Sequence, residues 1–285
     1  MSYLGRVYDH VRALSPAWLL LPGVSLLVVL FLYPTFDIIR LSLFDPSLTG
    51  RHFEKFFSVP VYLGVFLRTV GLSLAVAASC FVLGYPVAYF FVGLPAKVRP
   101  YLLFLVLIPF WMSILIRTYA WMVMLGRQGL INSMLVKSGL VDEPLKLLFT
   151  TEAVYVAMVQ ILLPIVILTC YGVMVEIDRG LVKAARVLGA SPLRAFTKVF
   201  FPLSLGGAAT GSIIVFILSM GFFVTPALLG GRKDMMMANL IDFQVHQTLN
   251  WGFASAVALV LLAATLAAVL LFRAVTRTAP HRPDQ

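Results

Sequence analysis

The stretch LVKAARVLGASPLRAFTKVFFP, residues 181–202, is a basic segment between two long apolar runs. The runs on either side, 153–175 and 199–231, contain no Asp, Glu, Lys or Arg, whereas the stretch itself carries four Lys and Arg residues. About 20 apolar residues are enough for a helix to cross the hydrocarbon core of a bilayer. The stretch is therefore predicted to be a structured loop between two membrane spans.

The composition of the whole chain is that of an integral membrane protein. Of its 285 residues, 61% are hydrophobic and 12% are charged, and the mean hydropathy is +0.97. Soluble domains carry about twice that share of charge. The expected fold class is all-α integral membrane, with no soluble domain attached. The apolar runs predict six transmembrane helices, at 17–38, 68–93, 100–125, 152–175, 201–226 and 251–273.

Three regions are expected along the chain. Residues 1–60 would hold the N-terminal tail, the first helix and the start of an external loop, and residues 61–273 the transmembrane domain. Residues 274–285 would form a C-terminal tail. With both termini in the cytoplasm, twelve of the 22 basic residues fall on the inner side and nine on the outer side, as the positive-inside rule requires. The net charge of +10 then indicates contact with membrane lipids, not nucleic acid.

The first half of the basic loop has the pattern of an amphipathic helix. Leu181, Ala184, Ala185 and Leu188 fall on one helical face, because residues three and four apart are neighbours on a helix. Lys183 lies largely off this stripe. The two small alanines would let another surface approach the helix backbone closely.

The second half of the loop contains signals for a tight turn and a new helix. Gly189 is placed to end the first helix, and Ser191 and Pro192 are placed to begin the next. The loop is predicted to be a helix–turn–helix along the cytoplasmic face, with Pro202 marking entry into the next span. Two interpretations stay open from the residues alone. The loop either rests on anionic lipid or docks a cytoplasmic partner.

Motifs for catalysis are missing from the sequence. There is no GxxxxGK[ST] phosphate loop and no HExxH metal motif, and no catalytic or metal-binding residue is assigned. No carboxylate lies well inside a predicted span, where proton-driven transporters commonly use one. The chain is not expected to be an enzyme. Energy for uphill transport would have to come from another chain, and a secondary transporter, a channel or an assembly factor are the rival interpretations.

Polar and aromatic residues in the third and fifth predicted spans are candidates for a translocation pathway. A charged Arg117 is costly inside a bilayer, and usually faces the bundle interior; the alternative is that it snorkels to the outer interface. The Thr225-Pro226 pair is expected to break or kink the fifth span near its outer end. The candidate pathway residues are Arg117, Tyr119, Trp121, Phe222, Thr225 and Pro226.

The basic loop resembles the EAA loop of bacterial ABC importer permeases. The family pattern is Glu-Ala-Ala, three residues, Gly, nine residues, Ile, one residue and Leu-Pro. This sequence has Lys183-Ala184-Ala185, Gly189, Val199 and Phe201-Pro202 at the same spacing. Two differences are apolar exchanges, but Lys183 reverses the charge of the family glutamate, so an ion pair of that glutamate cannot be carried over.

Two further segments resemble the spermidine/putrescine-type branch of these permeases. They are IPFWMSILIRTYAWMVMLGRQGLIN (108–132) and GFFVTPALLGG (221–231), and the similarity covers roughly residues 60–273. The resemblance implies a type I ABC importer permease fold, in which the loop between spans four and five is the coupling helix. The implied coupling residues are Leu181, Lys183, Ala184, Ala185, Leu188, Gly189, Ser191 and Pro192.

The same resemblance implies a bacterial inner-membrane complex. Two ATP-binding subunits would hydrolyse ATP, so this chain would bind no cofactor of its own. A second permease subunit, homologous but different, and a solute-binding protein would complete the importer. The implied cargo is a polyamine or a similar small organic solute; opines, amino-acid-like compounds and ferric iron are the alternatives. Arg117 disfavours strong cation binding within the membrane, which leaves an anionic or zwitterionic cargo open.

Overall fold

The computed structural model describes residues 17–44 and 47–277, and within these ranges it is helical apart from turns and one isolated β-bridge. The two tails expected at the ends of the chain lie largely outside the described residues. In chain order the helices are Ala17–Leu27, Tyr33–Leu43, Arg51–Ser58, Pro60–Gly93, Arg99–Trp111, Ile114–Leu125, Leu130–Lys137, Thr151–Glu176, Arg179–Val187, Pro192–Ala195, Phe201–Met220, Val224–Leu229, Met237–His246 and Trp251–Arg277, with π-helical turns at Val28–Leu32 and Phe196–Phe200.

Five helices of the described chain are long and apolar enough to cross a membrane. They are the first span Leu20–Leu43, the second span Pro60–Gly93, the fourth span Thr151–Glu176, the fifth span Pro192–Met220 and the sixth span Trp251–Ala274. A sixth crossing results if the bent pair Arg99–Trp111 and Ile114–Lys137 is counted as one span. The predicted all-α membrane fold is confirmed.

The third span is not the single helix predicted for residues 100–125. Its two halves meet at an angle of 91°; between them Met112 has extended backbone and Ser113 is also non-helical. Pro109 lies in the last turn before the break. Proline has no N–H to donate and crowds the carbonyl four residues earlier, so the helix is weakest here. We call this pair of helices the broken third span.

The fifth span begins and ends earlier than predicted. The helix continues unbroken from Pro192 to Met220, and the chain leaves it at Gly221–Phe223. The break therefore precedes the Thr225-Pro226 pair, which lies in the separate short helix Val224–Leu229. Gly221 follows the last helical residue with a φ of −92° and a ψ of 8°, and the low helix propensity of glycine favours an end of the helix here.

The second, fourth and fifth spans form the centre of the structure. Buried side chains of all three meet in one core, among them Cys80, Met158 and Val215. Tyr85 of the second span and Ser204 of the fifth span share a hydrogen bond of 2.6 Å. Paired polar groups of this kind are favoured between helices in lipid because hydrocarbon offers them no other partner.

Two glycines bring the fifth span against the backbone of the fourth. Gly207 and Gly211 are one helical turn apart, a small-xxx-small arrangement that permits close helix contact. A Cβ atom at Gly207 would lie 2.7 Å from the carbonyl oxygen of Thr169. A Cβ atom at Gly211 would lie 3.1 Å from the Cα of Val166 and would also collide with the Thr169 hydroxyl. Neither position has room for a side chain.

The first and sixth spans lie outside this centre. A smaller core joins the sixth span to the helices Arg51–Ser58 and Met237–His246 through Phe56, Met237 and Phe253. The first span packs its C-terminal half against the sixth span. The most apolar stretch of the first span contains no buried residue, so this helix offers an open apolar side to its surroundings.

Candidate functional site

The basic loop forms the tight turn that its sequence predicts. A helix runs from Arg179 to Val187 and is capped by the Asp178 carboxylate, which accepts a 2.7 Å hydrogen bond from the N–H of Gly180. Gly189 has a φ of +89°, a conformation that side chains with a Cβ rarely adopt. The hydroxyl of Ser191 then accepts a hydrogen bond from the N–H of Arg194. We call Arg179–Val187 the loop helix.

The second half of the loop differs from the prediction. No separate helix lies along the membrane face, because residues from Pro192 onward are the N-terminal part of the fifth span. The π-helical turn Phe196–Phe200 lies within this part, and Pro202 follows it without ending the helix. A π-helical turn already displaces the regular hydrogen-bond ladder, which makes the missing N–H of Pro202 tolerable. The fifth span thus begins at the turn itself.

The loop helix has two faces with different surroundings. Val182 packs against the central core, and Arg179, Lys183 and Arg186 line a cavity between the loop helix and the spans. None of the four residues of the predicted apolar stripe lines this cavity.

The apolar stripe on the outer face of the loop helix is largely exposed in this chain. Leu181 is 49% exposed and Leu188 87% exposed. Ala184 is exposed and Ala185 is half-buried. Val187, beside the stripe, is also 87% exposed. Apolar side chains gain about 25 cal/mol for each Å² removed from water, and contiguous exposed patches of this kind usually mark binding surfaces.

The ends of the second span and the loop helix are held together by arginines. Arg179 of the loop helix and Arg99 of the broken third span both donate a hydrogen bond to the carbonyl oxygen of Val92. Arg99 also donates to Leu94. Carbonyl groups at a helix C-terminus lack partners within the helix and attract cations. The sequence offered a signal for this contact, since both arginines lie directly beside span ends.

Aromatic side chains connect the fifth span to the second span near the same place. The ring of Tyr89 lies 5.2 Å from Phe196 and 5.1 Å from Phe200, and Tyr85 lies 5.5 Å from Phe201. Edge-on contacts at these distances add to the free energy of packing. A displacement of the loop helix would therefore be transmitted to both the second and the fifth span.

The candidate pathway residues divide between exposed and buried positions. Tyr119 is 53% exposed, whereas Thr225 and Pro226 are buried within the chain. Arg117, Trp121 and Phe222 are half-buried.

Hydrogen bonds fix the outer half of the broken third span. Thr118 and Thr225 share a hydrogen bond of 3.3 Å, and the indole N–H of Trp121 donates to the side chain of Gln160 on the fourth span at 3.3 Å. The Nε atom of Arg117 is buried and has no hydrogen-bond partner within the part of the chain that the structure describes. Sequence reasoning missed Thr118 and Gln160, because only the folded bundle brings them beside their partners.

A second cavity lies between the start of the fourth span and the turn at 230–233. Its lining includes Lys146, Arg232 and Lys233. Asp234 accepts hydrogen bonds from the Thr151 hydroxyl and from the N–H of Gly231, which anchors the turn to the fourth span. The loop that precedes the fourth span contains the short helix Leu130–Lys137.

Substituting Gly189 tests the turn directly. Alanine at a φ of +89° is expected to cost about 1–2 kcal/mol and to loosen the junction between the loop helix and the fifth span. Trypsin should cleave the Gly189→Ala variant faster than wild type after Arg186 and Arg194. Gly172→Ala is the matched control, because a Cβ there meets no atom within 4 Å and φ is not positive. Equal cleavage rates for both variants would contradict a strained turn.

The chain matches known proteins along almost its whole length. The family described as "Binding-protein-dependent transport system inner membrane component" matches residues 2–279. The "Spermidine/putrescine transport system permease protein PotB" of Escherichia coli K12 is 38% identical over 202 residues, which cover 71% of this chain and 74% of the relative. PotB of Haemophilus influenzae is 36% identical over 255 residues, covering 90% and 87%.

The fold is shared with a solved importer. A crystal structure of a bacterial ABC transporter that imports the acidic polysaccharide alginate superposes with a TM-score of 0.78 at 17% identity, covering 97% of this chain and 100% of the other. Together with this fold, the family match and the PotB relatives show a permease subunit of an ATP-driven ABC importer. The chain belongs to the binding-protein-dependent transport system inner membrane component family. It is a multi-pass inner-membrane transport protein, not an enzyme, and family membership decides against a stand-alone secondary transporter.

Proposed function

We propose that this chain forms half of the translocation pathway of a polyamine importer, for spermidine, putrescine or a similar small organic solute. The observation that supports a polyamine cargo is the sequence identity of 36% to 38% with permeases named for spermidine and putrescine. A solute-binding protein would deliver the cargo to the outer side, where a cavity next to the fourth span is lined by the basic residues Lys146, Arg232 and Lys233 and by the acidic residues Glu152 and Asp234.

The loop helix is proposed to be the coupling helix of an importer that has two ATP-binding subunits. It would contact one of these subunits and transmit that subunit's motion to the membrane spans. Its open apolar stripe, with small residues at Ala184 and Ala185, suits insertion into a groove of a partner. The partner subunits would hydrolyse ATP, and this chain would bind none. Closure of the ATP-binding pair would then move the loop helix and the attached spans as rigid bodies, which is a common form of switching.

The loop and both termini are proposed to lie in the cytoplasm. This topology places the larger share of basic residues on the inner side, in agreement with the positive-inside rule. The open apolar side of the first span supports a second permease subunit packed against it. A homologous but different chain is proposed, by analogy with the heteromeric pair that the resemblance implies.

The pathway wall is proposed to include Arg117 and Tyr119 of the broken third span, with Trp121 and Phe222 beside them. Thr225 and Pro226 would support this wall from behind, because Thr225 holds Thr118. A cationic Arg117 would repel a polyamine that stayed nearby, so binding inside the membrane is expected to be weak. Selection would then rest with the solute-binding protein.

Uptake by the reconstituted importer tests this function. Proteoliposomes containing the complete complex and its solute-binding protein should accumulate radiolabelled spermidine or putrescine only when ATP is enclosed on the side of the ATP-binding subunits. A parallel set without ATP but with an ion gradient should accumulate none. If ATP-driven uptake is found only for an opine, an amino-acid-like compound or ferric iron, the polyamine assignment is wrong while the importer assignment stands.

A further inference from the structure

The cavity behind the loop helix has a volume of about 620 Å³. Three elements enclose it: the loop helix, the C-terminal end of the second span and the start of the fifth span. Because it lies where spans end, we expect it at the level of the lipid headgroups. Its lining consists of Tyr89, Phe90, Val92, Gly93, Leu94, Arg179, Val182, Lys183, Arg186, Pro192, Phe196 and Phe200.

The charged residues in this lining are all basic. Arg179 already donates to the carbonyl oxygen of Val92, but Lys183 and Arg186 make no ion pair within the described residues. The nearest carboxylate in sequence, that of Asp178, caps the loop helix and is not in the lining. Two cations thus face a common cavity without an anion to balance them.

The rest of the lining is apolar and aromatic. Phe90 is 62% exposed and Tyr89 46% exposed, and the Tyr89 ring packs edge-on against Phe196 and Phe200, so the cavity has an aromatic wall that is partly open to the surroundings. A site with cations at one end and exposed rings at the other suits an amphiphile. Basic pockets between membrane helices on the cytoplasmic side are suited to anionic lipid headgroups, and phosphate oxygens accept strong hydrogen bonds from Lys and Arg.

We propose that this cavity binds an anionic phospholipid, with its phosphodiester on Lys183 and Arg186 and its acyl chains along Tyr89 and Phe90. The loop helix would then contact lipid on its inner face, while its apolar stripe remains free on the outer face. The lipid would fill the space behind the loop helix and resist its collapse onto the spans. This site goes beyond the proposed transport function, and it requires neither the cargo nor the docking assignment.

Native mass spectrometry of the purified importer complex tests the site. The complex is equilibrated with equal amounts of phosphatidylglycerol and phosphatidylcholine carrying the same acyl chains, and the lipid retained after delipidation is counted. Wild type should retain phosphatidylglycerol in preference to phosphatidylcholine. The double variant Lys183→Gln/Arg186→Gln should retain at least about tenfold less phosphatidylglycerol, because two charge-assisted contacts are lost.

Arg194→Gln/Lys198→Gln is the matched control. It removes the same charge from exposed residues of the same segment that do not line the cavity, and it should retain phosphatidylglycerol as wild type does. Equal loss in both double variants would show diffuse electrostatic attraction and overturn the site. Lipid retention is measured with and without the ATP-binding subunits, so a failure of docking is distinguishable from a failure of lipid binding.

Three further measurements keep the proposal testable if the double variant misfolds. Lys183→Arg preserves the charge and should retain the lipid. A phosphatidylglycerol with a photoreactive acyl chain should crosslink to the peptide that contains Tyr89 and Phe90. Glycerol phosphate, which has the headgroup chemistry but no acyl chains, should not compete at millimolar concentration. Competition by glycerol phosphate, or crosslinking confined to other spans, would overturn the lipid assignment.

Discussion

Replacing Ala184 by glutamate is expected to separate the permease from its ATP-binding subunits and to abolish uptake. Ala184 is exposed on the outer face of the loop helix, so the substitution places a carboxylate on the surface without disturbing the fold. In a complex, the same carboxylate would be buried against the partner without a counter-charge. Burying an unpaired charge costs several kcal/mol, which is more than a small docking surface can offset.

Co-purification measures this outcome. The tagged wild-type complex should carry its ATP-binding subunits through affinity purification in mild detergent, and Ala184→Glu should carry less than about a tenth as much, since each 1.4 kcal/mol is a factor of ten in binding. Ala96→Glu is the matched control, because Ala96 is exposed in the connection between the second and third spans. It makes the same charge change off the loop helix. Retention of the subunits and full uptake by Ala184→Glu would refute docking on this stripe.

Replacing Gly207 by leucine is expected to prevent the fifth span from packing against the fourth. Even a single Cβ at this position would lie 2.7 Å from the carbonyl oxygen of Thr169, and a backbone atom cannot rotate away as a side chain can. Overpacking a core by small groups costs about 1–3 kcal/mol, and leucine adds several more carbons. Since the fourth span is the most buried in the structure, the whole central core depends on this approach.

Gly206 provides a neighbouring control for this prediction. A Cβ at Gly206 meets no atom within 4 Å, and the residue is exposed. Gly206→Leu should therefore give the same yield and melting temperature as wild type by fluorescence-detected size-exclusion chromatography after heating. Gly207→Leu should give little monodisperse protein, and Gly207→Ala an intermediate amount. Identical melting curves for the Gly206 and Gly207 variants would show that the two helices are not in backbone contact.

The parts of the fold that follow local rules could be predicted from the sequence. Charge-free runs identified the membrane helices, because a bilayer penalises charge wherever the chain crosses it. The turn at Gly189, Ser191 and Pro192 could also be predicted. Its positive φ, its side-chain cap and its first-turn proline each depend on the type of a single residue. These signals need no knowledge of distant parts of the chain.

The break in the third span was missed for a physical reason. Pro109 was visible in the sequence, but proline is tolerated within many membrane helices when neighbours satisfy the freed backbone groups. Whether the helix bends or breaks depends on its contacts, such as the Thr118–Thr225 hydrogen bond. That bond joins residues far apart in the chain. It could not be inferred from either segment alone.

The sequence pattern also could not predict which way the Lys183 side chain faces. The stripe of small and apolar residues showed which face of the loop helix was apolar, but not which face would meet the spans. Packing of Val182 into the central core decides this, and it turns Lys183 toward the cavity. The charge that departs from the family pattern therefore lies on the inner face, away from the proposed docking stripe.

The unbroken helix from Pro192 to Met220 has a mechanical consequence. Its 29 residues make a rod of about 43 Å at the usual rise of about 1.5 Å per residue. One end begins at the turn beside the loop helix, and the middle is clamped against the fourth span at Gly207 and Gly211. A rod held near its middle behaves as a lever with a fulcrum. A push of a few ångströms on the Pro192 end would swing the Met220 end the opposite way, and the short helix Val224–Leu229, which follows Met220, packs against the Ile114–Leu125 half of the broken third span.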